Sequence, residues 1–166
     1  MPSKIYSVVE GGITFQDSGG DAVITLQNLA ASSGGRVSAR YDRGTGSKPS
    51  RARLWGIFQL ETAGAVGETI AVWAVEWSSQ ATPVGGGAIG TADAAITADE
   101  ARNFGAPDLL VQVDKAGVAT DIIGYAEITV TGRYVSVAVR NLTADNLENT
   151  ANANKVFLEW LPDESQ

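Results

Sequence analysis

Apolar and polar residues alternate with a period of two in short runs from one end of the chain to the other, and clusters of Gly, Asn, Asp and Ser separate the runs. Half-buried β-strands give this pattern, so the chain reads as all-β. In residues 36–42, Val37, Ala39 and Tyr41 alternate with Arg36, Ser38, Arg40 and Asp42, which sends the apolar set to one sheet face and the polar set to solvent. In residues 133–140, Val135, Val137 and Val139 alternate with Tyr134, Ser136 and Ala138; just before them Ile128 and Val130 alternate with Glu127 and Thr129. A turn at Thr131-Gly132 makes these two runs a hairpin. Residues 52–61 and 69–77 are apolar on both parities, as expected of central strands covered on both faces. Further strands are expected at residues 5–9, 13–16, 23–27, 109–113 and 156–161, about ten in all. One short helix competes at residues 97–104: Thr97 caps it, Asp99 and Glu100 suit its first turn, and Gly105 with Pro107 stops it. Strands at this spacing, joined by Gly-rich turns, predict an antiparallel β-sandwich, jelly-roll-like, in a single domain spanning residues 1–166. No fixed-period repeat occurs.

Composition removes more functions than it supports. The 166 residues include no His and no Cys. Disulfides, thiolate metal sites, cysteine nucleophiles and histidine general bases are therefore absent, and a non-enzymatic role without a cofactor is expected. Asp and Glu suffice for glycoside hydrolysis, but no pair of them stands out. The first residues lack the apolar core of a secretory leader, and no run is long and apolar enough to span a membrane, so synthesis in a cytoplasm is expected.

Two glycine-rich runs invite a phosphate-binding reading. Gly85 to Gly90 satisfies G-x-G-x-x-G, but no strand–helix–strand unit succeeds it to aim a helix N-terminus at a pyrophosphate. Residues 44–50 place Ser47 before Lys48 and Pro49 after it, the wrong order for a Walker loop. Asp93, Asp99, Glu100 and Asp108 are conceivable Ca²⁺ ligands, although their spacing fits no EF-hand and solvated surface charge accounts for them more simply.

Charge is unevenly spread. Residues 36–53 hold Arg36, Arg40, Arg43, Lys48, Arg51 and Arg53 against Asp42 alone, a net of +5, so with −7 overall the other 148 residues carry −12. If residues 36–42 and 52–61 are hairpin partners, these six residues form one basic tip on an acidic body, a candidate partner interface. Nucleic acid is a poor partner: the overall field repels phosphate, and the segment lacks interleaved aromatics for stacking bases. The four tryptophans, Trp55, Trp73, Trp77 and Trp160, lie inside apolar strands, where core packing is favoured over a sugar-stacking platform.

The stretches GDAVITLQNLAASSGGRVSARYDRGTG, GTADAAI followed by RNF, GRYVSVAVRN and ANANKVFLEWLPDESQ together resemble small virion structural proteins of tailed bacteriophages, of the capsid decoration or cement type. The resemblance covers most of the chain and rests on overall pattern, with no catalytic signature. It implies a β-rich, often jelly-roll protein that oligomerises on the outer capsid surface and binds the major capsid protein of the same virion. A homotrimer fits the local three-fold axes of an icosahedral shell. The alternative reading is a virion-associated carbohydrate-binding or host-adhesion module.

Overall fold

The period-two runs become eleven strands and one helix in a computed structural model that describes residues 11–32, 35–45, 48–77, 90–115 and 117–161. The elements are β1 (Ile13–Gln16), β2 (Ala22–Val23), β3 (Gly35–Val37), β4 (Tyr41–Asp42), β5 (Arg51–Phe58), β6 (Thr69–Trp77), β7 (Ala94–Ala95), α1 (Ala98–Asn103), β8 (Leu109–Gln112), β9 (Ile122–Thr129), β10 (Tyr134–Asn141) and β11 (Lys155–Trp160). The strand expected at residues 5–9 lies outside the described residues. Sheet A has the order β2-β1-β11-β5-β9 and sheet B the order β7-β3-β10-β6-β8, with β4 also paired to β10. Leaving out the two-residue strands, β1-β11-β5-β9 faces β3-β10-β6-β8, the double Greek-key order of a jelly roll. Among the described residues every pairing except β1 with β2 is antiparallel.

One core lies between the sheets, built from Ile13, Phe15, Leu54, Phe58, Ile70, Val72, Val135, Val137, Val139, Val156, Leu158 and their neighbours. A second, smaller core covers the opposite face of sheet B: Trp73, Val75 and Trp77 of β6 with Val37, Tyr134 and Ala138, under Ile96 and Ala101. The doubly apolar β6 is thus covered on both faces, as its sequence predicts. At six residues α1 is too short to persist alone. A capping box between Thr97 and Glu100 supports it, buried Ala101 anchors it, and Phe104 packs on Trp73 with ring centroids 6.2 Å apart. The Trp73 indole N–H donates to the Gly105 carbonyl at 3.1 Å, while the Trp77 indole N–H donates to the buried Ser136 hydroxyl at 3.0 Å.

Two sequence expectations are overturned by the strand pairing. The runs at 127–130 and 133–140 are not a hairpin: β9 joins β5 in sheet A, β10 joins β6 in sheet B, and residues 130–133 cross between the sheets. Each strand finds a long partner this way, and Val130 and Val135 still reach the same core from opposite sides. Residues 36–42, expected as one strand, are broken. Val37 pairs with Ala138, but Tyr41 pairs with Val135, so three steps on one strand and two steps on the other separate Ser38 from Tyr41 opposite Val137 and Val135. One extra residue is therefore inserted, and a bulge of this kind flips every later side chain to the other face. Val37 lies in the outer core of sheet B, whereas Tyr41 packs on the core between the sheets.

Candidate docking face

Among the described residues, sheet B is covered on its inner face and, over β3, β6 and β10, on its outer face as well, with Leu110 of β8 left 56% exposed; the outer face of sheet A has no such second layer. Along β5, β9 and β11 alternate residues point outward, and register brings them into rows. Tyr125, Trp55 and Phe157 form one row across the three strands, Ile123, Ile57 and Lys155 a second, and Glu127, Arg53 and Glu159 a third. The indole of Trp55 and the ring of Phe157 are stacked, with centroids 4.0 Å apart and planes 12° from parallel. Tyr125 is 71% exposed and Ile123 60%. With half-buried Trp55, Ile57 and Phe157 side by side with them on one sheet, these two form a contiguous patch rather than scattered surface residues, and such patches mark interaction sites.

The stacking leaves one face of each ring for other contacts. The uncovered face of Trp55 is turned away from β11, toward Tyr125, over a depression of about 460 Å³ lined by Arg53, Trp55, Ile123, Tyr125 and Glu159. Its charges are paired in place. Arg53 Nη1 lies 3.8 Å from Glu159 Oε2 and its guanidinium 5.8 Å from the Tyr125 ring centre, while Arg51 Nη2 lies 3.2 Å from Glu127 Oε2. These ion pairs are open to water and contribute at most about 1 kcal/mol each. They frame the patch and keep its rim polar.

The six basic residues expected at one tip are not brought together. The hairpin that would have joined them does not form, because β3 and β4 pair with β10 in sheet B while β5 lies between β11 and β9 in sheet A. Arg36 makes a two-pronged ion pair with Asp93, at 3.2 and 2.6 Å. Arg40, at the bulge, lies 4.6 Å from the Tyr134 ring centre and 5.8 Å from that of Trp77. Arg51 and Arg53 share the outer face of sheet A, and Lys48 lines a separate hollow with Tyr41, Arg43 and Trp160.

Arg43 departs furthest from expectation, being 7% exposed. Its guanidinium donates to the carbonyls of Val130 at 3.0 Å, Gly132 at 2.9 Å and Pro49, and lies 3.9 Å from the Trp160 ring centre. It thereby ties the crossover 130–133 to the start of β5 and the end of β11. Glu76 holds the same crossover from the other side, accepting from the Thr131 and Gly132 amides at 3.1 and 2.6 Å.

The carboxylates considered as calcium ligands are dispersed and occupied by protein partners. Asp93 accepts from Arg36 and Thr25, Asp99 from Arg102, and Glu100 from the Thr97 amide. Asp108 accepts from the Ala74 amide at 2.8 Å, standing in for a strand partner just before β8 begins; burial pushes its carboxyl pKa upward. Among the described residues no group of three or more Asp, Glu, His or Cys is placed to hold a metal ion, and no helix is long and apolar enough to cross a membrane. Of the two glycine-rich runs, residues 85–89 and residues 46 and 47 lie outside the described residues.

Three tryptophans pack as expected: Trp160 in the core between the sheets, Trp73 and Trp77 in the outer core of sheet B. Trp55 does not, and its companions Phe157, Tyr125 and Ile123 are functional candidates that the sequence pattern did not single out. Their signal is parity: in 155–159 the outward set Lys155, Phe157, Glu159 contains an aromatic, and in 123–127 the outward set Ile123, Tyr125, Glu127 contains two apolar residues. Compared with known proteins, the chain matches no family model and no curated protein.

Proposed function

We propose that the protein is a non-enzymatic structural component of a bacteriophage virion, a capsid decoration or cement protein. It is made in the host cytoplasm, oligomerises, a trimer being favoured, and binds the major capsid protein on the outer surface of the shell. The observation that carries this reading is the uncovered aromatic face of sheet A. A jelly roll with the outer face of one sheet largely covered by its own second core, and the other sheet presenting exposed Tyr125 and Ile123 beside half-buried Trp55, Ile57 and Phe157, is arranged to dock by area. Its framing charges, Arg51, Arg53 and Lys155 against Glu127 and Glu159, supply orientation at the rim, where interfaces are polar. The test is co-sedimentation with empty capsids, comparing the wild type with Trp55→Ser combined with Phe157→Ser. The wild type pellets and the double variant, with an unchanged far-UV spectrum, stays in the supernatant. Equal pelleting of the two would refute docking through this face.

A second reading, carbohydrate binding, is favoured by one observation: the open face of Trp55 beside Tyr125, with Arg53 and Glu159 at hand for hydroxyl groups. A glycan stacked there shifts the emission of Trp55. No shift across a glycan panel removes this reading.

A further inference from the structure

The edge of sheet A carries a feature separate from its face. Strand β9 ends that sheet, and it is eight residues long, against two for β2 and β7 and four for β8, the other sheet edges among the described residues. Long open edges are ordinarily blunted by proline, lysine or a bulge. β9 has no proline, lysine or bulge, and its one charged side chain, Glu127, is paired with Arg51 of its own chain: its register with β5 runs unbroken from Ile122 opposite Phe58 to Thr129 opposite Arg51.

The direction of its backbone groups is fixed by two hydrogen bonds. The Val130 amide donates to the Ser50 carbonyl, and the Leu161 amide donates to the Arg51 carbonyl. In antiparallel sheets alternate residues bond to alternate sides. Even-numbered residues of β5 therefore bond to β9 and odd-numbered ones to β11, so on β9 it is Ile122, Gly124, Ala126 and Ile128 that bond inward. The amides and carbonyls of Ile123, Tyr125, Glu127 and Thr129 are directed out of the sheet. The same four residues place their side chains on its outer face, including the two most open apolar ones there.

We propose that β9 pairs antiparallel with β9 of a second copy of this chain, about a two-fold axis at Tyr125, joining the two A sheets into one. The strand is complementary to itself in this register. Tyr125 faces Tyr125 of the second copy, Ile123 faces Glu127 and Thr129 faces Asp121, so every hydrogen-bonding position is taken by an outward-directed residue. The two Glu127 carboxylates are then offset by four residues, about 13 Å along the strands, beyond the screening length at physiological salt. The aromatic row Phe157–Trp55–Tyr125 continues directly into its counterpart and doubles the width of the apolar band. This deepens the docking reading, since a doubled band is the surface that would meet the shell, but the contact stands on the backbone alone and needs no capsid.

Light scattering with amide hydrogen exchange tests it. The wild type is expected at twice the chain mass, or at six times it where the three-fold contact favoured above forms as well, with the amides of Ile123, Tyr125, Glu127 and Thr129 at least tenfold slower to exchange than after dilution to monomer. Glu127→Pro removes an outward N–H and no main-chain bond within the fold, only the open ion pair with Arg51, so it should halve the mass and leave an unfolding midpoint close to that of the wild type diluted to monomer. Ile123→Glu, an exposed position where the new carboxylate would stand directly opposite Glu127 of the second copy, should do the same if the proline variant folds poorly. A wild type that stays monomeric at all concentrations overturns the pairing, as does a trimer or other assembly in which these four amides exchange freely. Capsid binding that survives either result leaves the docking reading standing, and protected amides without capsid binding do the reverse.

Discussion

Replacing Arg43 by alanine removes a guanidinium that donates to three main-chain carbonyls and covers the Trp160 ring. A hydrogen bond from a charged donor contributes about 1.5–3 kcal/mol in a dry interior, but two of these carbonyls are only partly buried, and about 1 kcal/mol each is the better figure there. The cation over an indole face adds about 1–2 kcal/mol when desolvated. The expected loss is about 4.5–7 kcal/mol, or roughly 10–28 °C in Tm for a chain of this size. Urea unfolding followed by fluorescence of the buried tryptophans measures it, as a lower midpoint at unchanged slope. Arg43→Lys keeps a cation near Trp160 but lacks the planar fork that reaches several carbonyls, and should lose about half as much. A loss below about 1 kcal/mol for the alanine variant would show that this cation does not hold the crossover. The same geometry makes charge reversal at Arg43 a test of folding, not of docking.

Three individual groups give further tests. Asp42, bonded to Arg133 and to the Gly44 amide, has its pKa lowered from the ordinary 3.8 to about 2. A depressed carboxyl stabilises the fold above its unfolded pKa and loses that contribution as pH falls through the folded one, so Asp42→Asn should flatten acid unfolding between about pH 4 and pH 2. Asp108 has the opposite sign: burial raises its pKa, so its ionised form opposes folding at neutral pH and protonation relieves this as pH falls. Asp108→Asn, which keeps an acceptor for the Ala74 amide, should be at least as stable as the wild type at pH 7 and lose that advantage toward pH 4 in paired urea titrations. Thr97→Ala removes the cap of α1 and should cost about 1 kcal/mol, with faster exchange confined to the helix and the Trp73 indole N–H.

How much of the fold was legible in sequence depended on whether a signal was local. The helix was readable almost to the residue, because Thr97, Glu100 and Gly105 act within a few positions of themselves. Strand β6 was readable to the residue because its two apolar parities meet two cores. Strand β5 shows the same two parities, yet its outer set, Trp55 and Ile57, belongs to neither core and meets no second layer among the described residues. Periodicity reports that a face is apolar and says nothing of whether the chain's own elements or another molecule covers it. The basic segment misled for a different reason. Its residues are adjacent in sequence, but a one-residue bulge after Ser38 reverses the facing of the residues beyond it, and the chain then changes sheets before Arg51. Arg43, two residues beyond Tyr41 on the core-facing parity, is carried inward; the bulge that does this leaves no mark in the alternation of residues 36–42.

Docking through the outer face of sheet A is tested most directly at Trp55, since Trp73, Trp77 and Trp160 are 6%, 2% and 4% exposed and hidden from an aqueous quencher. Iodide quenching of the wild type, less that of Trp55→Phe, isolates the Trp55 signal in free protein and on empty capsids. Covering of this face by the shell predicts a quenchable Trp55 in solution that loses most of its quenching when bound. Equal quenching of Trp55 in the free and capsid-bound states would contradict it.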